Sequence, residues 1–280
     1  MNSDASMQQL LTIIRHLRDS AHGCDWDRKQ TLKTLTGYTL EEVYEVIDAV
    51  EREDAAQLRD ELGDLLFQVV FYAQIASEQG QFDFHDVAAA ISSKLLHRHP
   101  HVFPDGTLAS FGSSELALDA ETVAIRWEEI KNLERQVKAA RSAVGVLPSV
   151  LDDVPAALPA LERARKLQRR AGSLGFDWQE AAPVLARLRE EIAELEAAMA
   201  TADAQALQDE FGDVLFSCVN LARHLDIDSE SALRAANRKF EQRFRAMETL
   251  AQARSLSLPA LTLGELDALW DEVKTTQRSE

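Results

Sequence analysis

Apolar residues recur along the chain with the spacing of a helix face, i, i+3, i+4 and i+7. Two consecutive segments show this spacing: Val43, Val46, Ile47 and Val50, and then Leu62, Leu65, Leu66 and Val69. Short polar connections at 52–54 and 201–203 favour antiparallel neighbouring helices. Further helices are predicted at about 83–98, 115–141, 228–254 and 263–276. The pattern predicts an all-α protein in which the apolar stripes form the core.

The chain contains the same series of helices twice. Residues 60–75 read DELGDLLFQVVFYAQI and residues 209–224 read DEFGDVLFSCVNLARH, with eight identities in 16 positions. Four further landmarks recur in the same order at offsets of 143 to 152 residues. The sequence therefore predicts a tandem duplication of an antiparallel four- or five-helix bundle. The predicted domains are residues 1–142 and 161–280, joined by a linker at 143–160 that contains Gly145, Pro148, Pro155 and Pro159.

Acidic residues lie beside the apolar stripes at matching positions in the two copies. Each copy has an E-x-x-E pair on one helix and an E-x-x-D pair on the next: Glu42, Glu45, Glu61 and Asp64 in the first, and Glu191, Glu194, Glu210 and Asp213 in the second. The i, i+3 spacing places each pair on one helix face, so two antiparallel helices would bring four carboxylates together. Like charges about 4 Å apart repel by roughly 4 kcal/mol at an effective dielectric of 20. Such a cluster needs a counter-charge or raised pKa values.

A divalent cation is the counter-charge that these ligands favour. Hard oxygen ligands without His or Cys suit Mg²⁺, with Mn²⁺ as an alternative, better than Zn²⁺ or copper. A di-iron bundle would carry Glu-x-x-His pairs, and none of the seven histidines has a glutamate three residues before it. The competing interpretation is a solvated acidic face, which is common on Glu-rich helices.

A glycine interrupts the second acidic helix of each copy, at Gly63 and Gly212 within E-x-G-D. A glycine inside a helix costs about 1 kcal/mol relative to alanine, so it needs a reason. Two explanations stand: close approach of the helices at the carboxylates, or relief of crowding in the core.

Basic and aromatic residues of the second copy are candidates for a phosphate and base site. Lys239 and Arg243 are spaced i, i+4 on a predicted helix, with Asn237 beside them, and Lys274 follows Trp270 by one helical turn. Cations and an amide can hold phosphate oxygens, while surface salt bridges are the alternative. Trp178 and Trp270 are candidates for stacking on a base or for packing in the core. Neither G-x-x-x-x-G-K-[ST] nor G-x-G-x-x-G occurs in the sequence.

Composition and charge narrow the class of partner. The 280 residues include 47 acidic and 30 basic side chains, for a formal net charge of -17, which disfavours nucleic acid as a partner. The most apolar stretch, 65–76, is too short to span a membrane, and the first residues lack a secretory signal pattern. Two cysteines, Cys24 and Cys218, give no disulfide framework. We expect a cytoplasmic protein that binds neither nucleic acid nor membranes.

The motifs in combination resemble those of the MazG family of nucleoside triphosphate pyrophosphohydrolases. They are EExxE, DE[LF]GD, Asn-x-Lys-Phe-x-x-Arg and Trp-x-Glu-Val-Lys, and the resemblance extends over essentially the whole chain, including its two copies. It implies an all-α pyrophosphatase fold, dependence on Mg²⁺ and dimers formed through helices. It also implies hydrolysis of nucleoside triphosphates to monophosphate and pyrophosphate, as a house-cleaning reaction of the nucleotide pool.

The resemblance assigns roles to individual residues. The family's metal ligands fall on the eight carboxylates named above, and its basic motif falls on Asn237, Lys239 and Arg243 of the second copy. The first copy departs from that motif, because Ser92 stands in place of Asn237 and Arg98 leads into His99-Pro100-His101. We therefore expect the second copy to be the main active site.

The implied reaction is attack of a metal-activated water on the triphosphate at the α-β bridge. Lys239 and Arg243 would stabilise the phosphates, and Glu190 or Glu194 would accept the proton of the water. The competing class is a non-catalytic helical scaffold that dimerises and docks partners through its acidic faces.

Overall fold

The computed structural model describes residues 3–113, 118–142, 149–152, 154–201 and 203–279. Within these ranges the regular elements are helices, and none of the described residues forms a strand. The chain divides into two compact units, Met1–Lys138 and Ala139–Glu280. The α-helices are α1 Ser3–Leu17, α2 Asp25–Lys29, α3 Leu35–Glu51, α4 Ala55–Glu78, α5 Phe84–Arg98, α6 Ala120–Ser142, α7 Ala160–Gly172, α8 Ala181–Thr201, α9 Ala204–His224, α10 Ser229–Ala253 and α11 Leu263–Ser279.

The first unit is built around the antiparallel hairpin of α3 and α4. Glu53 adopts a left-handed conformation (φ 56°) in the turn, and the Asp54 side chain accepts hydrogen bonds from the first amides of α4. The two helices also meet near the end of the hairpin opposite the turn, where the Thr39 hydroxyl lies 3.0 Å from that of Tyr72. Helices α1 and α5 pack on α4. The buried core residues of this unit are Ile14, Leu35, Val70, Phe71 and Ile75.

The second unit repeats this hairpin with α8 and α9. Asp203 caps α9 as Asp54 caps α4, by accepting from two amides of the first turn. Helix α7 packs on α9, and α10 packs on α11. A core cluster at the α10–α11 contact contains Met247, Ala251, Leu269 and Val273.

The predicted helices agree closely with the observed ones. The helix predicted at 228–254 is observed as Ser229–Ala253, and the one predicted at 263–276 is Leu263–Ser279. Helix α6 begins at Ala120, and the predicted start at Glu115 lies outside the described residues. Of the predicted linker, 143–148 and 153 also lie outside them, and α7 begins at Ala160. No helix within the described ranges is long and apolar enough to cross a membrane.

The expectation that the apolar stripes form the core was wrong for half of the first stripe pair. Val43, Val50, Leu62 and Val69 are exposed in the single chain. The core of the hairpin lies on the neighbouring positions, such as Ala49 and Val70. Similar side chains are exposed in the second unit: Ile192, Met199, Phe211 and Leu215. Each hairpin therefore presents an apolar face that its own unit does not cover.

Candidate active site

Three of the four predicted carboxylates of the first copy lie together. Glu42 and Glu45 on α3 and Glu61 on α4 each offer an oxygen, and these oxygens lie within 4.8 Å of one another. Asp64 is outside this group of three, although its charge acts on Glu42. Burial raises the pKa of Glu42, and the charges of Asp64 and Glu45 raise it further. The antiparallel hairpin thus brings the acidic pairs of the two helices together, as their spacing predicted.

Gln68 is a member of the first cluster that sequence reasoning missed. Its side chain is buried, and Nε2 donates to Glu42 Oε1 at 3.5 Å. Its Oε1 is buried and has no hydrogen-bond partner among the described residues. An amide within an otherwise apolar run of α4 was the available signal.

The second copy places its carboxylates in the same way. Oxygens of Glu191 and Glu194 on α8 and of Glu210 on α9 lie within 4.8 Å of one another. Asp213 again lies outside the group of three but adds its negative charge. Glu191 is only 5% exposed, and burial is the largest cause that raises its pKa. Glu191 is thus the buried member of this group, while Glu194 is exposed and Glu210 is partly buried.

Arg187 enters the second cluster, and sequence reasoning missed it. Its Nε lies 2.8 Å from Glu191 Oε1, and its Nη1 lies 3.0 Å from Glu190 Oε2 and 3.6 Å from Glu194 Oε1. At the offset of 149 the first copy has Tyr38 at this position. Part of the counter-charge that the sequence required is therefore supplied by the second copy itself. The signal was a basic residue one helical turn before Glu191.

Both clusters fit a hard divalent cation. Glu191 Oε2 is buried and has no hydrogen-bond partner among the described residues, even though Arg187 holds the other oxygen. A buried carboxylate oxygen without a donor is costly unless a cation or donor reaches it. In the first copy the side-chain oxygen of Gln68, Oε1, is likewise buried without a hydrogen-bond partner among the described residues. Carboxylate and amide oxygens are the ligands that magnesium-type ions prefer.

The predicted basic residues of the second copy lie on α10 and α11. Arg243 donates to Gln277 Oε1 at 3.3 Å, and Lys274 lies 3.1 Å from Asp271. Asn237 and Lys239 are exposed on α10. Within the described part of the chain, no hydrogen bond or ion pair joins these basic side chains to the carboxylate cluster.

The two predicted tryptophans have different surroundings. Trp270 packs against the core cluster of α10 and α11, with its ring 5.3 Å from that of Phe240. Trp178 lies in the connection between α7 and α8 and is exposed, so it does not serve as a core residue. Trp270 is partly buried and Trp178 is exposed, and the stacking of either ring on a base stays a prediction.

The first copy differs from the second at the corresponding basic positions. Arg98 binds Glu134 through two nitrogens, whereas its counterpart Arg243 contacts the neutral amide of Gln277. Ser92 has no side-chain amide to offer in place of Asn237, and its hydroxyl donates to the carbonyl of Ala88 in its own helix.

Comparison with known proteins gives the family. The model of the MazG nucleotide pyrophosphohydrolase domain matches residues 30–103 and 179–247. A protein of Escherichia coli K12 named nucleoside triphosphate pyrophosphohydrolase is 50% identical over 270 residues, which are 96% of this chain and 97% of that protein. A Thermotoga maritima protein named nucleoside triphosphate pyrophosphohydrolase/pyrophosphatase MazG is 41% identical over 95% of both chains.

Among solved structures, a mazG-related protein of Thermotoga maritima is 29% identical, with a TM-score of 0.36, over 45% of this chain and 98% of that one. The family model matches once in each unit, over both acidic hairpins. With two relatives above 40% identity over nearly their full length, this chain belongs to the MazG nucleotide pyrophosphohydrolase family.

Proposed function

We propose that this protein hydrolyses nucleoside triphosphates to nucleoside monophosphates and pyrophosphate, and so removes triphosphates from the nucleotide pool. The relatives named for this activity match the chain over nearly its whole length. The observation that carries the proposal is the carboxylate cluster of Glu191, Glu194 and Glu210, in which Glu191 is buried and its Oε2 has no hydrogen-bond partner in the described structure.

We assign the carboxylates of each hairpin as ligands of Mg²⁺, with Mn²⁺ as an alternative. The residues that would hold the ion are Glu191, Glu194, Glu210 and Asp213 in the second copy, and Glu42, Glu45, Glu61 and Asp64 in the first. When bound, the ion lowers the pKa of a water and neutralises charge on the triphosphate.

The basic side chains of α10 and α11 bind the phosphates. Lys239 and Arg243 share one face of α10 because of their i, i+4 spacing, and Lys274 lies on the adjacent α11. Their positive charges stabilise the negative charge that develops on the departing pyrophosphate. Asn237 adds an amide donor on the same helix. Glu190 or Glu194, both exposed beside Glu191, accepts the proton of the attacking water.

We place the main activity in the second copy. The guanidinium of Arg98 in the first copy is held by the carboxylate of Glu134, which offsets its charge, whereas Arg243 contacts a neutral amide. Ser92 offers no amide donor where the second copy has Asn237. The first copy retains its carboxylates, so it binds metal, and its contribution to turnover is the smaller one.

We also propose that the protein works as a homodimer. Each hairpin leaves an apolar face exposed in the single chain, and contiguous apolar surface of this kind marks sites of association. A second copy of the chain supplies the cover that these faces need.

Phosphorus NMR of the reaction products tests the proposed activity. The purified protein is incubated with a panel of nucleoside triphosphates and Mg²⁺, and a matched reaction contains excess chelator. We expect pyrophosphate and nucleoside monophosphate with Mg²⁺, and neither with chelator. Release of orthophosphate and nucleoside diphosphate would mean a phosphatase instead, and no turnover of any nucleotide would contradict the proposal.

A further inference from the structure

Asp177 is the centre of a compact hydrogen-bond network outside the carboxylate cluster. Its two oxygens accept from Arg223 Nη1 at 2.7 Å and Nη2 at 2.6 Å, in a bidentate pair. His224 Nε2 lies 3.0 Å from Asp177 Oδ1, and the backbone N–H of Trp178 donates to the same oxygen at 2.9 Å. The Arg223 guanidinium also donates to Oδ1 of the buried Asn220. One carboxylate thus ties the α7–α8 connection to the end of α9.

The end of α7 is shaped to admit this carboxylate. A Cβ on Gly172 would lie 2.8 Å from Asp177 Oδ2, so any larger residue would displace this carboxylate from its place in the network. The Asp177 and Arg223 side chains are largely shielded from water. Charged, bidentate hydrogen bonds with little solvent access hold geometry firmly. The connection between α7 and α8 is therefore a fixed segment rather than a loose one.

This fixed segment displays apolar side chains to solvent. Leu174 is 72% exposed, Phe176 is 84% exposed and Trp178 is 44% exposed. An offset of 152 residues aligns Trp26 of the first copy with Trp178 of the second. At this offset the first copy has His22 and Cys24 in place of Leu174 and Phe176. Apolar side chains that are held in place but exposed to water mark a site where a ligand or a partner binds.

The position of the segment suits the base end of a nucleotide. Helix α8 begins at Ala181, and Glu191 lies ten residues further on, which is about 15 Å along the helix axis. A triphosphate bound at Glu191 and pointing back along α8 would carry its nucleoside towards Trp178. Base–aromatic stacking is tolerant of the base because every base has a π-face.

We propose that Asp177, through Arg223 and His224, is a positioning residue that holds Trp178 and its segment for stacking on the nucleobase. The inference rests on the proposed hydrolysis of nucleoside triphosphates. Asp177 touches the backbone of Trp178, and its role is to fix where that indole stands.

A double-mutant cycle tests the proposal with two ligands. The variants are Asp177→Asn, Trp178→Ala and the double variant, with KM and kcat measured for a nucleoside triphosphate. Inorganic tripolyphosphate, which has no base, serves as a competitive inhibitor whose Ki reports the phosphate site alone. KM and Ki do not depend on the fraction of protein that folds, and Arg223→Gln provides a second way to break the network. Asp25→Asn is the matched control, because Asp25 aligns with Asp177 but its carboxylate is exposed.

We expect Asp177→Asn and Arg223→Gln to raise KM for the nucleotide about tenfold, with kcat and the Ki of tripolyphosphate within about twofold of the unmodified protein. The double variant should match Trp178→Ala alone, because Asp177 acts through the indole, and Asp25→Asn should leave KM unchanged.

Additive effects in the cycle, or equal changes in KM and Ki, would overturn the positioning role and leave hydrolysis intact. An unchanged KM in Asp177→Asn would also overturn it. The same holds if Trp178→Ala changes the dissociation constant of the dimer but not KM, because a second copy of the chain would then cover the segment. Absence of any turnover by the unmodified protein would instead overturn the proposed function, and this inference with it.

Discussion

Arg187 and Glu191 form an ion pair inside the acidic cluster of the second copy, with Arg187 Nε 2.8 Å from Glu191 Oε1. The other oxygen of the same buried carboxylate has no hydrogen-bond partner within the described residues. Arg187 thus pairs with one oxygen of Glu191, and the other oxygen is the place where the proposed cation would bind.

Removal of the Arg187 charge should tighten metal binding. Arg187→Met leaves the carboxylates without their internal cation, so the negative potential at the cluster rises and the divalent ion binds about threefold to tenfold more tightly. Isothermal titration with Mn²⁺ and Mg²⁺ measures this change. Tyr38→Arg, at the corresponding position of the first copy, is the matched variant and should weaken binding there. Weaker binding in Arg187→Met would show that the arginine supports the ion instead of competing with it.

Magnesium should raise the stability of the fold. At about 100 times its dissociation constant, an ion that binds only the folded state adds roughly 2.7 kcal/mol per site. Thermal unfolding with and without Mg²⁺ measures the effect, and Glu191→Gln should reduce it by removing the most buried ligand of the second copy. A melting temperature that is the same with and without Mg²⁺ would favour a helical scaffold that does not use metal.

Substitution of Gly212 by alanine should stabilise the fold and lower the activity. A Cβ there meets nothing within 4 Å, so Gly212→Ala should raise the free energy of unfolding of the isolated chain by about 0.5–1 kcal/mol. If a ligand or a second copy fills the space, kcat/KM should fall by about tenfold or more. Gly264, also helical and equally unobstructed, is the matched control, and Gly264→Ala should leave kcat/KM unchanged. Full activity in Gly212→Ala would remove this reason for the glycine.

The Asp177 network should make part of the stability depend on pH. The hydrogen bonds from Arg223, followed by those from His224, hold the pKa of Asp177 below its ordinary value. A carboxyl group with a lowered pKa in the folded state stabilises the fold above its unfolded pKa of about 3.9, and that stability is lost as the pH falls through the folded pKa. Asp177→Asn should therefore cost about 2–3 kcal/mol near pH 7.

Denaturant unfolding at several pH values measures this dependence. The gap between Asp177→Asn and the unmodified protein should hold steady from about pH 7 to pH 5 and narrow below about pH 4. A gap that stays constant down to pH 2 would show that the carboxylate charge does not contribute.

The acidic hairpins were predictable because two signals coincided. The i, i+3 spacing placed Glu191 and Glu194 on one face, and the repetition in the first copy separated this pattern from ordinary acidic helix surface. Arg187 was missed, because oppositely charged side chains one helical turn apart are ordinary neighbours on an exposed helix. Gln68 was missed because the second copy has Ser217 at the corresponding position, so the repeat does not mark it.

Other expectations failed because periodicity does not identify what covers a helix face. Val43 and Leu62 have the spacing of core residues but are exposed in the single chain. A face buried between two copies and a face buried within one copy give the same pattern in a sequence. Both reasons offered for Gly63 and Gly212, close helix approach and relief of crowding in the core, were also wrong within the chain, since a Cβ at either position meets nothing within 4 Å.

Separate substitution of one metal ligand in each copy tests the central claim most directly. Glu210→Gln and Glu61→Gln occupy matching positions in the two clusters and are matched in size and charge change. Pyrophosphate release from a nucleoside triphosphate in Mg²⁺ is measured for each. We expect Glu210→Gln to lose at least about 100-fold in kcat and Glu61→Gln to stay within about threefold of the unmodified protein. Loss only with Glu61→Gln would contradict the choice of copy, and full activity in both variants would contradict catalysis at the carboxylate clusters.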